Sequence, residues 1–167
     1  MLSRLVNQAH PLGPDAKVLV LGGGYSGRCF ARLLKTLGTT VISTRRHPET
    51  DSSDLTFDST TGVLPSFGDL EGISHVLCTI PPSQDGRDPA LECLGALLKN
   101  ISPVWVGSLS TTGVYGDRQG NWVSESDAAS PGQDRSRRRL ECEQAWLNSG
   151  LPVQILRLPG IYGPGRS

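Results

Sequence analysis

Residues 17–27, Lys-Val-Leu-Val-Leu-Gly-Gly-Gly-Tyr-Ser-Gly, decide the fold of this chain. The apolar run over 17–21 is typical of a strand buried on both faces, because a half-exposed strand alternates apolar and polar residues. It leads directly into the glycine-rich loop 22–27. Apolar residues then recur at three- and four-residue steps, which predicts one face of a helix that ends at Gly38. The residues of that face are Cys29, Phe30, Leu33, Leu34 and Leu37.

The β-branched segment 40–44 completes a βαβ unit, whose strands are expected to be parallel with a right-handed crossover. The alternation continues, with strands predicted at 54–58, 75–80, 104–108 and 152–156 and helices at 89–100 and 134–148. This order predicts an α/β fold of the Rossmann type, with a doubly wound, mainly parallel sheet and helices on both faces. One such domain is expected over 16–167, after an N-terminal lead-in at 1–15.

Composition narrows the classes of partner. The 167 residues suffice for one domain with a core, and the formal net charge of zero argues against nucleic acid or an acidic membrane surface. No apolar run approaches the ~20 residues of a membrane helix, and residues 1–16 lack the apolar stretch of a signal peptide. A cytoplasmic location is therefore expected.

Cysteine and histidine spacing gives no metal motif. Cys29, Cys78, Cys93 and Cys142 contain no Cys-x-x-Cys pair, and the three histidines are scattered. Reduced, partly buried thiols and no metal site are expected.

The spacing Gly22-x-Gly24-x-x-Gly27 between a strand and a helix indicates a dinucleotide-binding loop. Gly22 permits the tight turn, Gly24 lets a pyrophosphate approach the backbone, and Gly27 allows the helix to pack closely on the strand. Tyr25 and Ser26 begin the helix, whose free N–H groups and partial positive charge suit phosphate. The alternative is a glycine turn without a ligand.

The end of the second strand bears on which nucleotide binds. A site for NAD usually has Asp or Glu there, bonded to the ribose 2′-hydroxyl, whereas this chain has Thr44-Arg45-Arg46 and no carboxylate before Glu49. Two guanidinium groups suit a 2′-phosphate, so NADP is expected in preference to NAD. The alternative is that both arginines are solvated loop charges.

The chain resembles an extended short-chain dehydrogenase/reductase in three stretches that follow one another in order. They are the glycine loop 22–27, residues 108–117 (Ser-Leu-Ser-Thr-Thr-Gly-Val-Tyr-Gly-Asp) and residues 156–166 (Leu-Arg-Leu-Pro-Gly-Ile-Tyr-Gly-Pro-Gly-Arg). More narrowly, the chain is similar to the atypical, YeeZ-like members among the NAD(P)-dependent epimerase/dehydratases. The resemblance spans residues 16–167. It implies that a C-terminal substrate lobe would follow strand six, and this lobe is expected to be absent from the chain, leaving an apolar edge that favours self-association into a homo-oligomer.

The resemblance also implies roles for single residues. Asp58 matches the position that contacts adenine, and Thr79, Ile80 and Pro81 match the segment that lies along the cofactor. Thr111 matches the catalytic Ser/Thr, whose hydroxyl bonds a substrate carbonyl or alcohol.

The family's Tyr-x-x-x-Lys pair is replaced. The alignment places Arg135 at the tyrosine and Arg139 at the lysine. Arginine stays protonated, so Arg135 cannot act as the proton carrier, a role worth typically ~10²–10⁴-fold in rate. Arg139 can still bond a ribose or phosphate. A nucleic-acid patch at this arginine cluster is the less favoured alternative, since Glu141 and Glu143 follow and aromatic residues are not interleaved.

Two functions follow as expectations. In the first, an NADP(H)-binding oxidoreductase or epimerase transfers hydride at a small carbonyl or sugar-nucleotide-like substrate, with Thr111 polarising the oxygen. Its proton would come from elsewhere, for which Tyr115 and Tyr162 are candidates, although both are better explained as packing residues. In the second, the chain is a dinucleotide-binding sensor without turnover, which the lost pair favours.

Overall fold

A computed structural model describes residues 12–49 and 54–166 and confirms the predicted architecture. Six strands form one sheet in the order β3-β2-β1-β4-β5-β6, and every adjacent pair is parallel. The strands are β1 Lys17–Leu21, β2 Thr40–Arg45, β3 Leu55–Thr56, β4 His75–Cys78, β5 Trp105–Thr111 and β6 Val153–Leu158. The α-helices are α1 Tyr25–Thr36, α2 Pro89–Ile101 and α3 Asp134–Leu147, and short 3₁₀ helices lie at Gly68–Leu70 and Thr112–Tyr115.

The order of the strands reverses at β1. This strand pairs with β2 on one side, Val18 lying opposite Val41, and with β4 on the other, Val18 lying opposite His75. The connections that leave β1 and β4 run in opposite directions along the sheet. A crevice therefore opens at the carboxyl ends of these strands, where ligands bind in open α/β sheets.

The apolar run of β1 serves two cores. Successive strand residues point to opposite faces, so Leu19 and Leu21 enter the core shared with α2 and α3, while Val18 and Val20 pack against α1. All four side chains are almost completely buried. The continuous apolar pattern is explained by a strand covered on both sides, as predicted.

The apolar face predicted for α1 is wrong in part. The buried residues of this helix are Gly27, Ala31 and Leu34, at four- and three-residue steps, whereas Cys29 is exposed. The close approach of Gly27 to the end of β1 sets the rotation of the helix. That rotation turns Cys29 towards solvent.

Near the crevice, two strands end later in the sequence than predicted. β5 runs to Thr111 and β6 to Leu158, in register with each other, beyond the predicted ends at 108 and 156. The polar side chain of Ser110 is accommodated in β5 because Glu143 accepts its hydroxyl hydrogen bond inside the protein. The longer β5 carries Thr111 to the carboxyl edge of the sheet.

Among the helices that the structure describes, none is long and apolar enough to cross a membrane. The lead-in predicted at 1–15 falls mostly outside the described residues.

Candidate functional site

The glycine loop is tied to β2 by backbone-directed hydrogen bonds. The Gly22 N–H donates to the Thr44 hydroxyl oxygen at 3.1 Å, and the Gly23 N–H donates to the Thr44 carbonyl at 2.7 Å. Thr44 itself is fully buried. The two bonds fix the turn that follows β1, so Thr44 shapes the loop from beneath.

Thr79, after β4, holds the other side of the loop. Its hydroxyl donates in a shared bond to the carbonyls of Leu21 at 3.1 Å and Gly22 at 2.9 Å. Gly22 has a φ of +100°, and a Cβ built there would lie 2.6 Å from the Thr79 hydroxyl oxygen. Both conformation and space therefore require glycine at position 22.

Gly27 and Gly24 differ in what surrounds them. A Cβ at Gly27 would lie 2.1 Å from the Gly22 carbonyl oxygen, so the helix can approach the turn only with glycine there. A Cβ at Gly24 would meet nothing within 4 Å. The space in front of Gly24 is open, as a loop that receives a ligand requires.

That space is a cavity of about 550 Å³ at the crevice. It is lined by Gly22 to Gly24, by Thr44, Arg45 and Arg46, and across the crevice by Thr79, Ile80 and Pro81. The structure thus brings together most of the predicted cofactor residues.

The start of α1 suits an anion. Gly24 is its N-cap, and among the described residues no side chain accepts a hydrogen bond from its first turn, which also lacks an acidic residue. The amino end of a helix carries partial positive charge and N–H groups without intrahelical partners. The phosphates of a dinucleotide would fit here, because the space at Gly24 is open and the N–H groups and two arginines lie beside it.

Arg45 and Arg46 are placed differently. Arg45 forms ion pairs with Asp54 at 2.6 Å and Glu49 at 3.3 Å, and its side chain packs against Gly23, where a Cβ would lie 2.6 Å from its Cγ. Arg46 is exposed at the cavity, with no carboxylate oxygen within 4 Å of its guanidinium among the described residues. Arg46 is therefore the less compensated of the two charges.

Asp58 lies beside the cavity, not in its lining. Its carboxylate accepts bonds from the Thr60 N–H at 2.9 Å and the Thr60 hydroxyl at 2.6 Å, and these bonds lower the pKa of Asp58. The turn that it closes presents Ser59 and Thr60 to the cavity. Contact of Asp58 with adenine stays a prediction.

Tyr25 and Ser26, also predicted near the cofactor, form the first turn of α1. The Tyr25 ring lies under the guanidinium of Arg166, 5.6 Å from its centroid, and a Cβ at Gly163 would lie 2.2 Å from the Tyr25 hydroxyl. The segment after β6 therefore packs against the start of α1.

A second cavity of about 570 Å³ adjoins the first, sharing Pro81, Pro82 and Ser83 with it. Thr111 lines it and caps the following 3₁₀ helix by accepting the Gly113 N–H at 3.1 Å. Arg139, half-buried, donates to the Leu109 carbonyl at 3.2 Å. The predicted Thr111 and Arg139 thus meet at one cavity.

Arg135, predicted to stand at the position of the family tyrosine, lines the same cavity. Burial is the main cause of the lowered pKa of Arg139, and the charge of Arg135 lowers it further. Arginine nevertheless stays protonated in proteins, so the site holds fixed cations rather than an acid–base pair.

Neither candidate tyrosine lines a described cavity. Tyr115 is buried beneath the guanidinium of Arg157, which lies 4.8 Å from its ring centroid. Arg157 pairs at 2.7 Å with Glu143, which is 2% exposed and also accepts the hydroxyl of Ser110. Tyr162 is 84% exposed. Tyr115 is therefore part of a buried polar network behind β5.

Several lining residues were not predicted. Arg138, Gln84 and Arg166 line the second cavity, and Ser83 lines both. The helical spacing of Arg138 from Arg135 would have indicated the first of these, since residues three apart share a helix face. The remainder lie in loops, whose path the sequence pattern does not define.

Comparisons with known proteins agree with this geometry. No family model matches the chain. Protein YeeZ of Escherichia coli (strain K12) is 48% identical over 59 residues, which are 34% of this chain and 21% of YeeZ.

Two solved structures are similar over most of the chain. A conserved protein of unknown function from Silicibacter pomeroyi is 38% identical with a TM-score of 0.78, over 90% of this chain and 55% of its own. A protein assigned to the NAD-dependent epimerase/dehydratases, from Methylobacillus flagellatus, is 28% identical with a TM-score of 0.72, over 90% of this chain and 56% of its own. The chain spans little more than half the length of these two proteins.

Proposed function

We propose that this chain, which belongs to the extended short-chain dehydrogenase/reductase-like proteins, binds NADP(H) in the glycine-loop cavity and acts on a small carbonyl or sugar-nucleotide-like substrate. One observation carries the proposal: Gly24 has an open front at a cavity, directly before a helix start with no side-chain cap. A glycine turn that served only to connect β1 to α1 would not need that opening. The likeness to an NAD-dependent epimerase/dehydratase supports the same assignment.

Each part of the lining has a task in this proposal. The backbone of 22–24 and the first turn of α1 would hold the pyrophosphate, and Thr79 to Pro81 would lie along the cofactor. Thr44 and Thr79 act on the loop rather than on the ligand, because their hydroxyl groups already form hydrogen bonds with its backbone. The bound nicotinamide would supply hydride transfer.

Preference for NADP(H) rests chiefly on Arg46. Arg45 is already paired with Asp54 and Glu49, which reduces the charge that it can offer to a 2′-phosphate. Arg46 is exposed at the same cavity, so its guanidinium is available for charge-assisted bonds.

In the second cavity, the Thr111 hydroxyl would polarise a substrate oxygen. Arg139 would donate hydrogen bonds to a ribose or a phosphate. Thr111 is positioned for this at the carboxyl end of β5, and Arg139 is anchored to the same strand through Leu109. Neither arginine at the Tyr and Lys positions can exchange a proton near neutral pH.

The test separates the two arginines. Arg46→Ala should weaken NADPH binding by about 10- to 100-fold and leave NADH nearly unchanged, since one charge-assisted contact is worth ~1.5–3 kcal/mol. Arg45→Ala should weaken both nucleotides, because the Arg45 side chain packs on the glycine loop at Gly23. Titration by nucleotide fluorescence measures all four constants. Equal losses of NADPH and NADH in Arg46→Ala would contradict a 2′-phosphate contact.

A second candidate, a dinucleotide-binding sensor without turnover, is favoured by the fixed charge of Arg135 in place of a proton carrier. The discriminating measurement is NADPH oxidation by the loaded protein with a panel of aldehydes, ketones and nucleotide sugars. Binding without oxidation across the panel supports the sensor, and turnover supports the enzyme.

A further inference from the structure

The charges of the second cavity are all of one sign. Four arginines line it, and its described lining contains no aspartate or glutamate. The four are Arg135, Arg138, Arg139 and Arg166. In the same part of the chain, no carboxylate oxygen lies within 4 Å of any of their guanidinium nitrogens.

Three arginines outside this cavity show the usual pairing with carboxylates. Arg137, on the same helix, faces away from the cavity and pairs with Asp134, and Arg157 pairs with Glu143. Arg87 pairs with Asp85 and with Glu92. Arg28, Arg32 and Arg118 also lack a carboxylate within 4 Å in the described part of the chain, but the second cavity brings four such arginines together in one lining.

The arrangement on α3 is costly without a ligand. Arg135, Arg138 and Arg139 are spaced by three and four residues, so they share one helix face, where like charges repel. Arg139 is held in place by its hydrogen bond to the Leu109 carbonyl. Its guanidinium is half-buried, and this burial adds a desolvation cost to the charge. An anion in the cavity would offset both costs.

We propose that the second cavity binds an organic anion, whose carboxylate or phosphate group is held by Arg135, Arg138 and Arg139 beside Thr111. The inference deepens the proposed function, because it names the substrate class for the Thr111 side of the same crevice. This charge would be separate from those of the dinucleotide, whose pyrophosphate would lie at the glycine loop and whose 2′-phosphate would lie chiefly at Arg46. Guanidinium groups bind both oxyanions through paired N–H donors.

The experiment uses the full chain labelled with ¹⁵N, at constant ionic strength, titrated with inorganic phosphate and with malonate. Arginine Nε–H resonances report binding, and the two probes distinguish a phosphate from a carboxylate preference. Binding should shift the resonances of Arg135, Arg138 and Arg139. The titration is repeated with the protein saturated with NADPH, where it should give the same dissociation constant within about twofold.

Variants test the assignment to this helix face. Arg135→Gln and Arg138→Gln should each weaken binding by about tenfold or more, the loss of one charge-assisted contact. Arg137→Gln, on the same helix but facing away, is the matched control and should bind as the wild type does. Glutamine keeps the helix propensity of arginine, and circular dichroism confirms that each variant is folded.

Three results would overturn the inference: no binding of either anion, an equal loss in Arg137→Gln, or competition between the anion and NADPH. Failure of the proposed function is seen separately, as absence of NADPH binding by the wild-type chain. Gly24→Val, which blocks only the first cavity, should retain the anion site.

Discussion

Gly27 and Gly24 are three residues apart, yet alanine or valine should affect them in opposite ways. A Cβ at Gly27 would lie 2.1 Å from the Gly22 carbonyl oxygen and 3.2 Å from Val20 Cγ1. The carbonyl cannot move freely, because Gly22 is bonded to Thr44 through its N–H and to Thr79 through its oxygen. Gly27→Ala must therefore separate α1 from β1 or break one of these bonds.

Overpacking of this kind costs about 1–3 kcal/mol. For a chain of this size each kcal/mol lowers the melting temperature by about 2–4 °C, so Gly27→Ala should melt about 2–12 °C below the wild type. Gly24→Val meets no atom within 4 Å at its Cβ and has an ordinary φ of −73°. Its cost should stay near the ~1 kcal/mol of an unfavourable N-cap residue.

Thermal unfolding by circular dichroism and NADPH titration by fluorescence together give the decisive comparison. Gly24→Val should keep its melting temperature within about 4 °C and lose NADPH binding, because its side chain fills the space in front of the loop. Gly27→Ala should instead show the lowered melting temperature given above. Normal NADPH binding by Gly24→Val would refute the placement of the pyrophosphate, and an unchanged melting temperature for Gly27→Ala would refute the rigid helix–turn contact.

Further predictions concern buried groups and thiols. Glu143→Ala should lower the free energy of unfolding by about 3 kcal/mol in a urea titration, because Arg157 and the network behind β5 lose their carboxylate, and a loss below about 1 kcal/mol would contradict this. A thiol reagent at pH 8 should modify the exposed Cys29 first and the buried Cys78 and Cys142 only on unfolding; fast reaction of all thiols would show that the core opens. Burial raises the pKa of Cys142 from 9.0 to about 11, so its contribution to stability is complete below pH 9 and is lost as the pH rises to about 11. Cys142→Ala should flatten that part of the stability curve, and an unchanged slope would contradict it.

The βαβ core could be predicted because its signals are local. The apolar run 17–21, the glycines and the β-branched segment 40–44 each specify an element within a few residues, and short connections then leave few topologies. The glycine loop could be predicted for the same reason, since its requirements are those of single backbone positions. The confirmed fold class, a doubly wound parallel sheet, follows from the alternation of strands and helices along the chain.

Side-chain partners could not be predicted in this way. Arg45 ends β2 and pairs with Asp54, which lies directly before β3. The local sequence pattern predicts the two strands but not which side chains meet between them. Asp58 is held by Thr60 through a local turn that the motif does not describe. The hydroxyl of Ser110 in β5 donates to Glu143, which lies 33 residues away in the sequence.

The predicted replacement of the Tyr-x-x-x-Lys pair links the two proposals for the second cavity. A tyrosine and a lysine there would supply one exchangeable proton and one cation, whereas Arg135 and Arg139 supply two cations and no exchangeable proton. The same change that removes the proton carrier therefore raises the positive charge beside Thr111. An anionic substrate group placed there would be held by Coulomb attraction in a cavity partly screened from water, where such attraction is stronger than at an open surface. The site is thus better suited to holding an anion next to a dinucleotide than to moving a proton, which is why anion binding and NADPH oxidation need separate assays.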